Sequence, residues 1–272
     1  MEVIRAKEAG FCFGVKQAID RISTLHGKGD IFVLGKLIHN PQVIDELKGR
    51  GIKFVDNLDE VDHGTLVISA HGIPDHIIHE AKKKGLDVID TTCSLVKNVH
   101  NITKELEKKG YKIIIFGDKN HTEVKGITGN LDDPIVISGV DDLDNISPGK
   151  YALVSQTTQE VIRFNEIGDK LKKNITDLII KDTICSATKL RQESAKQVAM
   201  QSDLMIVVGG LNSANTRRLK EICSKIVHTV HIESTSDIDR SLFYGKNIIG
   251  VTAGASTPEN VIKEVIGLIT NR

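Results

Sequence analysis

Short apolar runs alternate along this chain with longer segments of helical periodicity. The runs Ile31–Leu34, Ile113–Phe116 and Met205–Val208 are each followed by a glycine. The longer segments place apolar side chains three or four positions apart, which is the spacing of one helix face. Alternation of strand, turn and helix throughout the chain predicts an α/β protein with small, mostly parallel sheets and flanking helices.

One pattern of strand, cysteine and helix occurs three times. The cysteines are Cys12, Cys93 and Cys185, spaced 81 and 92 residues apart, and the helices after them are predicted over 13–26, 94–109 and 186–201. A glycine that ends the next apolar run follows each cysteine by 23 or 24 residues. Repetition at this interval indicates three related lobes rather than a solenoid of short units.

The repeat also predicts the domain organisation. Lobe 1 spans 14–93, lobe 2 spans 94–183 and lobe 3 spans 184–272. The segment 1–13 contains a strand, but no second strand follows before the first cysteine, so we expect this segment to complete lobe 3. The expected fold is a trefoil of three pseudo-equivalent lobes.

Charge and composition narrow the class of function. The 36 basic and 36 acidic residues cancel, which argues against a nucleic-acid partner. The first residues are charged where a secretory signal would be apolar, and no apolar run approaches the ~20 residues of a membrane helix. We therefore expect a cytoplasmic protein with no membrane partner. In that compartment cysteines stay reduced and serve metal binding or catalysis.

The three matched cysteines indicate a metal centre. Each lies where a helix should begin, and free backbone N–H groups favour the thiolate there. Three thiolates on one pseudo-threefold axis suit a single [4Fe–4S] cluster with one iron that lacks a cysteine ligand. Zinc is a weaker alternative because no closely spaced cysteine pair occurs. Buried structural cysteines are the other alternative, and Cys223 is interpreted in that way.

Polar side chains follow the predicted strands at matched positions. Two sets occur: His39, His121 and the segment 212–215 in the first, and His71, the segment Gln156-Thr157-Thr158 and Ser256 in the second. Functional groups of parallel sheets gather at the carboxyl ends of the strands, so we expect an anion site suited to phosphate. For Ser256 and Asn40, a helix cap is an equally good interpretation. The remaining histidines, including His100, are interpreted as ordinary surface or core residues.

Glu123 is the candidate acid. A carboxyl group that faces a closed, apolar-walled cavity can hold a proton near neutral pH and donate it. A glutamate in the first turn of a helix also commonly complements the helix dipole, and this interpretation stays open. Thr157 is a candidate for relaying a proton or for binding substrate.

Taken together, these motifs resemble the LytB/IspH family of 4-hydroxy-3-methylbut-2-enyl diphosphate reductases over essentially the full chain. The resemblance rests on short motifs in one order: Ala9-Gly-Phe-Cys-Phe-Gly-Val, Leu37-Ile-His-Asn-Pro-Gln-Val, Ser69-Ala-His-Gly, Asp90-Thr-Thr-Cys, His121-Thr-Glu-Val, Ser155-Gln-Thr-Thr, Asp182-Thr-Ile-Cys, Asn212-Ser-Ala-Asn-Thr and Gly254-Ala-Ser-Thr-Pro.

The resemblance implies reductive removal of the substrate's hydroxyl group with two electrons and two protons. The products are isopentenyl and dimethylallyl diphosphates, in the last step of the methylerythritol phosphate route to isoprenoids. It implies a [4Fe–4S] cluster at the centre of the trefoil, held by Cys12, Cys93 and Cys185, and reduced ferredoxin or flavodoxin as the electron donor. Glu123 would be the proton donor, with Thr157 and His121 as further catalytic residues.

The resemblance further implies which residues bind the allylic diphosphate substrate. They would be His39, His71, His121, Thr157, Ser213, Ala214, Asn215 and Ser256. Two positions depart from the family pattern. Ala214 stands where the family usually has a second serine, so one hydroxyl contact to the diphosphate is expected to be missing. Ser94 stands where the family usually has proline, with an effect confined to the start of the helix.

Two alternative functions use the same features. A non-redox lyase or synthase such as quinolinate synthase also resembles three lobes around a three-cysteine cluster, and electron consumption per turnover separates it from a reductase. A sensor that reports oxygen or iron through its cluster would turn over no diphosphate. Such a sensor usually has a nucleic-acid surface, which the balanced charge argues against.

Overall fold

The computed structural model describes residues 1–25, 27 and 29–271, with Asn145 described by its backbone alone. The strands are β1 (Glu2–Arg5), β2 (Ile31–Leu34), β3 (Lys53–Val55), β4 (Thr65–Ile68), β5 (Asp87–Asp90), β6 (Lys112–Phe116), β7 (Ile135–Ile137), β8 (Lys150–Ser155), β9 (Asp177–Ile180), β10 (Leu204–Val208), β11 (Thr229–Ile232) and β12 (Ile248–Ala253). The α-helices are α1 (Phe13–Ser23), α2 (Pro41–Gly49), α3 (Asp75–Lys83), α4 (Ser94–Lys108), α5 (Thr122–Thr128), α6 (Val161–Asn174), α7 (Ser186–Ala199), α8 (Ala214–Ser224) and α9 (Glu259–Thr270).

Among the residues that the structure describes, the strands form three four-stranded sheets, and all of their pairings are parallel. Their orders are β3-β2-β4-β5, β7-β6-β8-β9 and β11-β10-β12-β1. In each sheet the strand that precedes a cysteine lies at one edge, so β1 has the place that β5 and β9 have in the other two. The predicted α/β class with three small parallel sheets is confirmed.

Contacts divide the chain into two compact units. The first consists of Met1–Val15, His39–Val43 and Ser186–Arg272, and it contains the sheet β11-β10-β12-β1. The second consists of Lys16–Ile38 and Ile44–Cys185, and it contains the other two sheets. The lobe boundaries 14–93, 94–183 and 184–272 stay a proposal.

In the first unit, the central strand β10 is apolar on both faces because helices pack on each. Leu204, Ile206 and Val208 belong to the core that includes α9, and Met205 and Val207 belong to the core that includes α7 and α8. A parallel strand that is covered on both faces is read in sequence as a continuous apolar run. β10 is accordingly apolar at each of its five positions.

The second unit repeats this arrangement around β6. Ile114 and Phe116 pack in the core that contains α6 residues, while Ile113 and Ile115 pack with residues of α4 and α5. Two-residue alternation along the strand therefore directs successive side chains to different helices.

Within the part of the chain that the structure describes, no helix has both the length and the apolar character needed to cross a bilayer.

Two edge strands, β3 and β11, were not predicted from the sequence. β3 has three residues and β11 has the sequence Thr-Val-His-Ile, so neither is long or apolar enough to show a strand pattern by itself. They form because β2 and β10 offer unpaired backbone groups. The helix predicted over 13–26 is observed over Phe13–Ser23, and His26 lies outside the described residues.

Candidate active site

The three predicted ligand cysteines lie in the same local backbone setting. Their N–H groups donate hydrogen bonds to carbonyl oxygens, which pair Cys12 with Ala255, Cys93 with Ala70 and Cys185 with Thr157, each at 3.0 Å. Every acceptor lies two residues beyond the end of a strand, namely β12, β4 or β8. A helix begins at the residue after each cysteine, and all three cysteines are partly exposed.

The repeated sequence motif Asp-Thr-x-Cys forms two of these turns. Asp90 and Asp182 each accept a hydrogen bond from the backbone N–H two residues on, at 2.9 and 3.1 Å. The hydroxyls of Thr91 and Thr183 donate to carbonyl oxygens at the ends of β4 and β8. The threonine hydroxyls thus link the end of one strand to the neighbouring strand. The aspartates stabilise the turn that places the following cysteine directly before a helix.

The turn at Cys12 is held by different residues. Gly10 has a φ of 97°, and a Cβ atom there would lie 3.1 Å from the Ile262 side chain and 3.4 Å from the Thr257 carbonyl oxygen. The guanidinium of Arg191, only 4% exposed, donates to the Gly10 carbonyl oxygen at 2.9 Å. This role of Arg191 was not predicted from the sequence, because a single arginine in a predicted helix belongs to no recognisable motif.

Cys223 differs from the other three cysteines. It is buried among residues of α7, α8 and β10, as expected for a core cysteine. Burial raises the pKa of its thiol to about 12. A thiol with so high a pKa stays protonated and is a poor metal ligand.

Glu123 lies at the start of α5 and is 2% exposed. Its Oε1 accepts the Thr157 backbone N–H at 2.6 Å, and its Oε2 accepts the Thr157 hydroxyl at 2.8 Å. Burial raises the pKa of Glu123 to about 7, although the two hydrogen bonds from Thr157 oppose this rise. A carboxyl group with this pKa can hold or release a proton at neutral pH.

His121 is the N-cap of α5. Its Nδ1 accepts the backbone N–H of Glu123 at 3.1 Å, so the neutral ring carries its proton on Nε2. The ring of His71 lies edge-on to that of His121, with centroids 5.5 Å apart and an interplanar angle of 81°. Two of the predicted site histidines therefore lie side by side in the second unit.

In the first unit, the polar turn after β10 leads into α8. Ser213 is the N-cap, and its Oγ accepts the backbone N–H of Thr216 at 3.3 Å. Ala214 and Asn215 are the first two helical residues, and both are buried. Oδ1 of Asn215 has no hydrogen-bond partner among the described residues, and such a buried polar atom is a place for a ligand or water to bind.

The two residues for which a cap interpretation was open now differ. Asn40 is a cap, since its Oδ1 accepts the Val43 backbone N–H at 3.1 Å at the start of α2. Ser256 is not the cap of α9, because Pro258 occupies that position. Its hydroxyl instead donates to the His39 carbonyl oxygen at 3.1 Å. Both residues belong to the first unit.

The predicted site residues thus fall into two groups, one in each compact unit. The first unit contains Cys12, His39, Ser213, Ala214, Asn215 and Ser256. The second unit contains His71, Cys93, His121, Glu123, Thr157 and Cys185. In the second group Thr157 has a central place, because its side chain and N–H bind Glu123 while its carbonyl oxygen accepts the N–H of Cys185.

Comparison with known proteins identifies the family. The sequence model of the family described as LytB protein matches residues 3–270. The chain is 41% identical to the 4-hydroxy-3-methylbut-2-enyl diphosphate reductase of Clostridioides difficile over 278 residues, covering 100% of both chains. It is 41% identical to the enzyme of the same name from Pelobacter propionicus over 273 residues, covering 99% of this chain and 98% of that protein.

A solved structure gives the same result. The E-1-hydroxy-2-methyl-but-2-enyl-4-diphosphate reductase from Plasmodium falciparum superposes with a TM-score of 0.96 at 33% sequence identity. The match covers 99% of this chain and 88% of that chain. By sequence over its whole length and by fold, the chain belongs to the LytB family.

Proposed function

We propose that this chain is a 4-hydroxy-3-methylbut-2-enyl diphosphate reductase. The reaction breaks the bond between carbon and the substrate's hydroxyl oxygen, consumes two electrons and two protons, and releases water. Its products are isopentenyl and dimethylallyl diphosphates, so the reaction is the last step of the methylerythritol phosphate route. Relatives of that name, 41% identical over the full chain, support the activity.

The observation that carries the proposal is the shared setting of Cys12, Cys93 and Cys185. Each cysteine is partly exposed and directly precedes a helix, and its backbone N–H donates to a carbonyl oxygen two residues beyond a strand. Such thiols fit the ligand set of an iron–sulfur cluster, and we propose one [4Fe–4S] cluster per chain. When bound, it would supply one-electron chemistry and a Lewis-acidic iron without a cysteine ligand.

Glu123 and Thr157 supply the proton that the departing hydroxyl group needs. When Glu123 is protonated, its Oε2–H can donate to the Thr157 hydroxyl oxygen across the 2.8 Å separation. The Thr157 O–H is then free to donate to the substrate. Because the pKa of Glu123 is about 7, its protonated form, which donates the proton, and its ionised form, which takes up the next one, are both populated at neutral pH.

We propose that the diphosphate is bound by the polar turns that follow the strands. The residues involved are His39, His71, His121, Thr157, Ser213, Asn215 and Ser256, with Ala214 contributing its backbone alone. The start of α8 supports this role, because N–H groups at a helix N-terminus favour anions. Reduced ferredoxin or flavodoxin is the proposed electron donor, and the cytoplasm is the proposed location because its thiols stay reduced.

Anaerobic purification followed by turnover tests this function. We expect about four iron and four sulfide ions per chain. We also expect oxidation of two equivalents of reduced donor for each allylic diphosphate consumed. Turnover without consumption of electrons would favour a non-redox lyase or synthase. A cluster-loaded protein that turns over no diphosphate would favour a sensor.

A further inference from the structure

Asn130 lies just beyond α5, where that helix meets the start of α3 and the middle of α4. Its Oδ1 accepts the backbone N–H of Asp75, the first residue of α3, at 2.8 Å. Its Nδ2 lies 3.0 Å from the Gly126 carbonyl oxygen in α5 and 3.2 Å from His100 Nδ1 in α4. One amide side chain therefore joins three helices of the second unit.

These contacts determine the state of His100. Since Oδ1 of Asn130 accepts from Asp75, both protons of the amide are on Nδ2, which donates to Gly126 and to Nδ1 of His100. The neutral His100 ring then carries its proton on Nε2. The ring is 6% exposed, and burial followed by the nearby charge of Lys104 lowers the pKa of His100, which keeps Nδ1 available as an acceptor.

Close backbone packing surrounds this junction. A Cβ atom on Gly126 would lie 3.1 Å from the Gly72 carbonyl oxygen, and one on Gly72 would lie 3.3 Å from Cε1 of His100. A Cβ atom on Gly129 would lie 2.4 Å from the Pro74 side chain. Gly72 also has a φ of 73°, which favours glycine. The segment from Gly72 to Pro74 thus lies directly against α5, with no side chain between them at Gly126.

Each joined element carries a residue of the proposed site. α3 begins shortly after His71, α4 begins immediately after Cys93, and α5 begins with the cap His121 and contains Glu123. We propose that Asn130, with His100 as its acceptor, is a positioning residue that fixes the His71 turn against the helix bearing His121 and Glu123. This inference rests on the proposed function.

The replacement Asn130→Asp tests the inference because it preserves shape and the acceptor for the Asp75 N–H. It places an oxygen opposite the Gly126 carbonyl and removes the donor to His100. We expect kcat to fall at least about tenfold with KM changed less than about twofold, because small displacements of reacting groups are costly. Asn165→Asp, the same change at an exposed position of α6, should leave both constants unchanged.

A pair of replacements at His100 provides the matching rescue. Asparagine can present its amide oxygen where Nδ1 of the imidazole lies, so His100→Asn should retain most of the wild-type kcat. His100→Leu removes the acceptor and should reproduce the loss seen with Asn130→Asp. A merely structural role for His100 predicts the opposite order, since leucine is the better core residue.

Hydrogen–deuterium exchange of the cluster-loaded protein gives a readout independent of activity. We expect Asn130→Asp to increase exchange in peptides spanning 69–78 and 118–127 relative to Asn165→Asp. A folded, cluster-loaded Asn130→Asp variant with wild-type kcat and wild-type exchange would overturn the inference. Inactive wild-type protein whose Asn130→Asp variant shows the exchange increase would instead reject the proposed function and leave the junction established.

Discussion

Glu123 has a raised pKa because the protein removes its carboxyl group from water. The two hydrogen bonds from Thr157 stabilise the ionised form, yet burial dominates and the pKa of Glu123 rises to about 7. Glu123 also lies in the first turn of α5, so its ionised form complements the helix dipole as well. At the scale of single residues, burial therefore allows this carboxyl group to hold and release a proton near neutral pH.

The replacement Glu123→Gln should separate proton transfer from binding. Glutamine keeps the size of the side chain, so we expect substrate binding within about twofold of wild type. Without an acid, kcat should fall about 10²-fold or more. Single-turnover kinetics together with equilibrium binding measure the two quantities, and near-normal turnover would exclude Glu123 as the proton donor.

The replacement Ala214→Ser should restore a hydroxyl group at the start of α8. Ala214 is the first helical residue after the cap Ser213, where serine is tolerated. One added hydrogen bond is worth about 1 kcal/mol, so diphosphate affinity should stay unchanged or rise up to about fivefold. Competition by inorganic pyrophosphate measures this affinity. A marked loss would show that the pocket at the start of α8 is arranged differently.

At the scale of elements, the recurring unit is a strand, a turn and a helix with a cysteine at the junction. The N–H of each cysteine bonds to a carbonyl two residues beyond a neighbouring strand, although the side chains that support the turns differ. Asp90 and Asp182 support two of them, and Arg191 supports the third. The geometry of the backbone is therefore more strictly repeated than the residues that produce it.

The replacement Cys93→Ser should abolish the cluster and the activity together. A serine hydroxyl is a poor substitute for a thiolate ligand, and we expect iron content to fall well below half of the wild-type value. Cys223→Ala is the matched control, because Cys223 is buried in a core cluster and should not affect iron content. Iron and sulfide assays measure the outcome, and a full four-iron cluster in Cys93→Ser would refute the ligand assignment.

At the scale of the whole molecule, three sheets share one strand order. The first strand of the chain pairs with β12, so the N-terminus closes the C-terminal sheet. Arg5 at the end of β1 also pairs with Glu259 of α9 at 2.6 Å. Segments far apart in sequence are thus joined, which makes folding of the first unit depend on both ends of the chain.

Stability should depend on pH through Glu123. Its pKa is raised from 4.5 to about 7 on folding, so below pH 4.5 both states are protonated and no penalty exists. Between these values only the unfolded state ionises, so the contribution of Glu123 to the free energy of unfolding should fall by about 3 kcal/mol as pH rises through this window. Denaturant unfolding of the wild type and of Glu123→Gln from pH 4 to 8 measures this contribution as the difference between the two slopes. An equal slope in both proteins would contradict the assignment.

The sequence by itself determined the α/β class, the threefold repeat and the position of the cysteines at helix starts. These features follow from hydrophobic periodicity and from fixed spacings, which are properties of the sequence alone. Tertiary structure alone decided the edge strands β3 and β11, the bonds from Thr157 to Glu123 across 34 positions, and the junction at Asn130. Asn130 belongs to none of the sequence motifs, and His100 is interpreted from sequence as an ordinary surface or core residue. Their contacts join elements that are distant in the chain, and such interactions exist only once the sheets and helices have packed.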